Sequence, residues 1–155
     1  SYREAVRERG GRTSPFEVWS AFQTMRVFHR PAADLAESHA AAGGRVHSYL
    51  FSWRPAAFSR SLGACHAMEV PFVFGLLGHP LVRTLTGFAP SARKLSDRMQ
   101  KAWVEFARTG DPAHGGLPAW DLYDSGSRAT MIFDRECSLA DQPLDAERIL
   151  LDAWT

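Results

Sequence analysis

The sequence predicts an α/β fold with few strands and several packing helices, and three observations predict it. Val46 to Trp53 reads as a strand carrying bulky groups on both faces. Ala129 to Phe133 reads as a second strand, far downstream. Around these two lie about five or six segments with helical apolar spacing.

The first helix starts at Ser14-Pro15-Phe16-Glu17. Ser14 can cap, Pro15 suits the first helical position because it has no amide hydrogen to lose, and Glu17 completes a capping box. Val18, Phe22 and Met25 then recur at helical spacing, with Trp19 on the flank. Pro31 is expected to end or kink this helix, since it crowds the preceding turn and cannot donate. A second helix is predicted from about Ala32 to Ala42, stopped by Gly43.

In the strand that follows, Tyr49, Phe51 and Trp53 share one face, and Val46 and Leu50 the other. Such a strand belongs in a sheet sandwiched by helices. After a loop through Pro55, the segment Pro71 to Leu77 predicts a short helix closed by Gly78. Ser91 to Thr109 predicts the longest helix, capped by Ser91, striped by Leu95, Met99, Trp103 and Phe106, and ended by Gly110-Asp111-Pro112. The last helix is expected from about Asp145 to Trp154, presenting Ile149, Leu150 and Trp154. Two strands do not make a stable sheet. The chain is therefore expected to be part of a larger fold, an expectation that fits its opening at Ser1 without an initiator methionine.

The chain has 155 residues, about one domain's worth, and 45% of them are apolar, enough for a core. Eighteen basic against seventeen acidic side chains leave a net charge of +1. That balance excludes nucleic-acid or membrane-surface binding driven by bulk charge. No apolar run reaches the roughly 18 residues of a membrane span, and the charged first twelve residues contain no signal-peptide core. A cytoplasmic location is the resulting expectation. The basic residues are 16 Arg and 2 Lys beside 22 Ala, a bias expected of a G·C-rich bacterial genome. Cys65 and Cys137 leave one disulfide open, but two unpaired thiols in a reducing compartment are expected.

Six histidines are present, at positions 29, 39, 47, 66, 79 and 114, none spaced i, i+4 as in HExxH, and neither cysteine belongs to a CxxC. No metal site and no cofactor are expected. The glycine doublets lie outside any strand-to-helix turn, so no phosphate cradle is predicted. Asp121 and Asp124 are expected to form a solvated turn rather than a catalytic pair. Cys65 and His66 are adjacent, which in extended backbone sends them to opposite faces and argues against a thiol–imidazole couple.

His66 stands apart. It follows the small pair Gly63-Ala64 in a loop after the strand, and it precedes Glu69 and an apolar helix. A loop carried by a sheet is where a general base can be both held and reached. The stretch Gly63-Ala64-Cys65-His66-Ala67-Met68-Glu69-Val70-Pro71-Phe72-Val73-Phe74-Gly75 closely resembles the catalytic-histidine motif of type B carboxylesterases, the para-nitrobenzyl esterase and cholinesterase-like family of the α/β-hydrolase fold. The resemblance continues in order along most of the chain. Phe22-Gln23-Thr24 through Pro31-Ala32 is similar to the family's helix before its Pro-Ala segment, and Tyr49-Leu50-Phe51-Ser52-Trp53 to its strand before the histidine loop. Trp103 to Pro112 resembles its WxxFAxTGDP signature, and Leu117-Pro118-Ala119-Trp120 with Tyr123 its closing aromatic turn. One departure is Met25, where the family usually has Asp; the change is expected to touch packing more than chemistry.

The resemblance implies hydrolysis of carboxylic esters by a Ser–His–Glu/Asp triad. It makes residues 1–155 the C-terminal segment of one α/β-hydrolase domain, with an incomplete sheet. His66 would be the catalytic histidine, and Met68, two residues on, a substrate-pocket residue. No serine here sits in a GxSxG elbow. The serine and the acid are therefore expected on an N-terminal remainder of the same enzyme, the implied partner besides a small-molecule ester. The isolated chain is expected to be inactive. Glu69 could be proposed as the acid, but the family draws its acid from upstream, so an anchoring role is expected of it. Two other readings are a non-catalytic cholinesterase-like interaction domain and a free-standing helical binding module. The module would expose few large apolar side chains.

Overall fold

In a computed structural model of the chain, residues 1–55, 63–86 and 89–154 are described. The architecture is mixed α/β, with a small open sheet between helical layers. Strand β1 (Ser48–Phe51) pairs in parallel with β2 (Thr130–Phe133), and β2 pairs antiparallel with β3 (Ser138–Ala140). The order β1-β2-β3 leaves one side of β1 without a strand among the described residues. Strand β3 was not predicted. Its sequence, Ser-Leu-Ala, is too short and mixed to show a strand period, and its pairing with β2 makes it one.

The register sorts the side chains by face. Tyr49 lies opposite Met131 and Phe51 opposite Phe133, while Leu139 meets Met131 across the other ladder. These residues face α6 (Pro90–Thr109), whose Leu95, Met99 and Ala102 are buried in one cluster with Trp53, Phe72, Met131 and Phe133. Full burial of a side chain such as Leu95 or Met99 contributes about 1.5–3 kcal/mol. The stripe ends early, because Phe106 is half-exposed. Tyr49 is also 41% exposed despite edge contacts with Trp103 and Phe133, so the strand is covered only partly on that face.

Helix α6 begins one residue before the predicted start. Ala89 occupies the cap position and Pro90 the first turn, so Ser91 lies inside the helix and does not cap it. Its other end is as expected. Gly110 takes the left-handed conformation (φ 75°) that a side chain would penalise, and Thr109 and Asp111 tie off the turn. The family-like signature Thr109-Gly110-Asp111-Pro112 is thus a helix stop.

The opposite side of the sheet, through Leu50, faces a helical rod. Helix α2 (Pro15–Thr24) carries the predicted Ser14–Glu17 capping box. The rod does not end before Pro31. It passes through a π-helical turn, Met25–His29, into α3 (Arg30–Ala41). Pro31 cannot donate to Val27; the wider turn takes one extra residue, with Arg30 N–H donating back to the Met25 carbonyl. Met25 is buried beside Tyr2, Val6 and Leu151 and is a core side chain, as expected of a position that touches packing.

Three more helices complete the layer structure. Helix α1 (Tyr2–Glu8), hidden from the sequence reading by its charges, buries Tyr2, Ala5 and Val6. The segment predicted as one helix from Pro71 is two pieces, α4 (Val70–Val73) and a 3-10 turn at Leu76–Gly78, because Gly75 is left-handed (φ 67°) between them. Helix α5 (Pro80–Thr86), also not predicted, follows. In α7 (Asp145–Asp152) the buried residues are Glu147 and Leu151, while Ile149 is exposed. No helix among the described residues is long and apolar enough to cross a membrane.

Candidate active site

His66 sits on a turn that leads directly into α4. The backbone there is tightly specified. Gly63 and Ala67 are both left-handed, at φ 58° and 62°. For Ala67 that conformation costs roughly 1–2 kcal/mol, so surrounding contacts must hold it. Those contacts are visible: Met68 N–H donates to the Cys65 carbonyl at 3.1 Å and Val70 N–H to Ala67 at 3.3 Å. The Met68 side chain is buried, and Phe72, also buried, packs edge-on against Phe51 and tilted against Trp53.

The imidazole of His66 is exposed. One face lies on the ring of Phe28, with centroids 5.5 Å apart and planes 24° from parallel. Among the described residues no hydrogen bond restrains either ring nitrogen. Phe28 comes from the π-helical turn, and it is half-exposed whereas Met25, three residues earlier, is buried. Sequence reasoning missed Phe28. In an unbroken helix it would follow Met25 on the apolar stripe, and the only warning was Pro31.

Glu69 anchors through its backbone. Its carbonyl accepts from Phe72 and Val73 and so starts α4. Farther along, Ser96 Oγ donates to the buried Phe72 carbonyl at 2.7 Å, joining α6 to α4. Trp120 of the aromatic turn donates to the Ser48 carbonyl at 3.2 Å, and Tyr123 N–H to Val46 at 2.8 Å, fixing β1. The aromatic turn therefore fixes the start of β1, while α6 ties down α4 just after the histidine loop.

Other candidates resolve into structure. Asp124 accepts from the Gly126 and Ser127 amides and the Ser127 hydroxyl, which hold its carboxyl below the usual range. This is the solvated turn expected for Asp121 and Asp124. Cys65 and Cys137 are both free thiols. Burial pushes Cys137 up, against the nearby Arg98 guanidinium. His29 is lowered first by burial and then by Arg9. It borders a groove with Met25, Ser52, Arg54, Gly63 and Ala64, beside the histidine loop.

The mixed α/β layers with their small sheet are those of an α/β protein, and the chain belongs to the carboxylesterase family, whose pattern matches residues 9–150. It is similar to the para-nitrobenzyl esterase of Bacillus subtilis, at 34% identity over 124 residues, covering 79% of this chain and 24% of that protein. It is also similar to the phenmedipham hydrolase of Pseudarthrobacter oxydans, at 30% identity, covering 82% of this chain and 26% of that protein. Among solved structures, an esterase from Clostridium hathewayi that can hydrolyse aliphatic aromatic polyesters superposes with a TM-score of 0.79 at 31% identity, over 98% of this chain and 29% of that one. A carboxylesterase of Geobacillus stearothermophilus gives 0.78 at 34% identity, over 98% and 31% of the two chains. The chain spans about a quarter of the length of these curated relatives.

Proposed function

We propose that residues 1–155 are the C-terminal segment of a single α/β-hydrolase domain that cleaves carboxylic esters, and that His66 is its proton shuttle. The observation that carries this reading is the position of His66: the histidine of the family-like motif stands exposed on a turn whose backbone is locked from beneath. The N-terminal remainder of the enzyme supplies the serine and the acid.

His66 accepts the serine hydroxyl proton as that oxygen bonds to the ester carbonyl carbon. The proton then passes to the departing alkoxide, which leaves as alcohol. In the second half, His66 takes a proton from water as the water attacks the acyl-serine. It returns that proton to the serine as the carboxylic acid leaves. Imidazole as a group suits both steps because it accepts and donates near neutrality. The remote carboxylate orients the ring and stabilises the imidazolium. Met68, two residues beyond His66, lines the substrate pocket. Against a free-standing module, Phe16, Leu35 and Phe74 are each at least 70% exposed, more apolar surface than such a module would leave uncovered.

In the complete enzyme His66→Ala is expected to lower kcat by about four to six orders of magnitude, with circular dichroism and melting unchanged. Near-wild-type kcat in that variant rejects the assignment. Met68→Ala is expected to raise KM for bulky esters more than it lowers kcat; an unchanged KM rejects the pocket role.

A further inference from the structure

We infer that Phe28 is a second positioning residue of His66, holding the ring by its face while the remote carboxylate orients it through a nitrogen, and that the π-helical turn exists in the active enzyme to present it. The inference rests on the proposed catalytic role of His66 and goes beyond it. The imidazole is exposed, and among the described residues no hydrogen bond restrains its ring nitrogens. A proton shuttle must keep one nitrogen aimed at the nucleophile. The flat contact with Phe28, 5.5 Å between centroids and 24° from parallel, restricts the ring from one side. Phe28 reaches the site where the rod widens at Met25–His29 ahead of Pro31, a turn that also buries Met25 on the other side. Such π turns recur at functional sites, where one inserted residue re-aims a side chain.

The ring face carries the effect, so an aromatic replacement should serve and an aliphatic one of similar bulk should not. In the complete enzyme Phe28→Leu is expected to lower kcat about 3- to 10-fold with KM nearly unchanged, from the usual worth of an aromatic pair. Phe28→Tyr is expected to keep at least half of kcat. In a His66→Ala background, Phe28→Leu is expected to leave the residual rate unchanged, because Phe28 acts through the imidazole. Wild-type kcat in Phe28→Leu, equal losses in the Leu and Tyr variants, a loss confined to KM, or a further drop in the His66→Ala background would each overturn the inference. Should Phe28→Leu fail to fold, Phe28→Tyr and Phe28→Met decide by the same split. Full activity in His66→Ala alone would instead sink the catalytic reading, so the two failures are distinguishable.

Discussion

Replacing Ser96 by Ala tests how the histidine loop is held. Ser96 is 3% exposed in the middle of α6, and its Oγ donates 2.7 Å to the Phe72 carbonyl. It also accepts from Gln100 Nε2 at 3.1 Å. Alanine removes the hydroxyl and little volume. Gln100 retains the Ser96 carbonyl at 3.3 Å, so its amide is not stranded. The Phe72 carbonyl, in a residue that is fully buried, loses its partner. A bare buried acceptor costs about 1–3 kcal/mol, and the burial at both ends places the expected loss at about 2 kcal/mol. Since α4 follows directly on the His66 turn, the loss should appear locally. Amide exchange at Val73 and Phe74, whose N–H groups bond to Glu69 and Val70, should accelerate about 30-fold in the complete enzyme. Urea unfolding measures the global share. Ser91→Ala on the same helix, half-buried and not a cap, is the neutral control. A Ser96→Ala loss below about 0.5 kcal/mol, or exchange no faster than in Ser91→Ala, would refute the claim that this bond clamps α4.

Two further outcomes are expected. His29 and His47 are both lowered chiefly by burial, with Arg9 adding to it at His29 and Asp111 opposing it at His47. A histidine whose folded value is depressed binds fewer protons folded than unfolded, so its contribution is full above about pH 6.5 and is lost as pH falls below that. His29→Gln should flatten the stability profile between about pH 5 and 7, and a profile parallel to wild type would contradict this. The purified 155-residue chain should lack serine-reagent-sensitive esterase turnover, bind an apolar dye and self-associate, since Phe16 and Leu35 are 77% and 73% exposed and β1 has no strand on one side among the described residues. A monomer that ignores the dye, or one that hydrolyses ester, would contradict it.

Local chemistry made several elements legible. Ser14, Pro15 and Glu17 announce a helix start whatever surrounds them, and Gly110 before Asp111-Pro112 announces a stop, because these devices satisfy backbone groups within one turn. The strands around Tyr49 and Met131 were visible because both faces are apolar. Other features were not. Helix α1 is mostly charged and becomes a helix with a buried face only against α2 and α7. Strand β3 acquires its conformation from the ladder with β2. Ser91 has a capping residue's chemistry, yet Ala89 and Pro90 start the helix one residue sooner because Pro90 needs no amide partner.

By itself the sequence determined the order of the blocks, the strand before the histidine loop and His66 as the residue to test, since those depend on side-chain type and short spacing. Tertiary structure alone decided that Pro31 widens a helix instead of ending it. It alone decided that Phe28 thereby faces His66 and that Ser96 holds α4. Each of these depends on which distant backbone group lies within 3–4 Å, and one inserted residue in a helix turns the next side chain by about 100°.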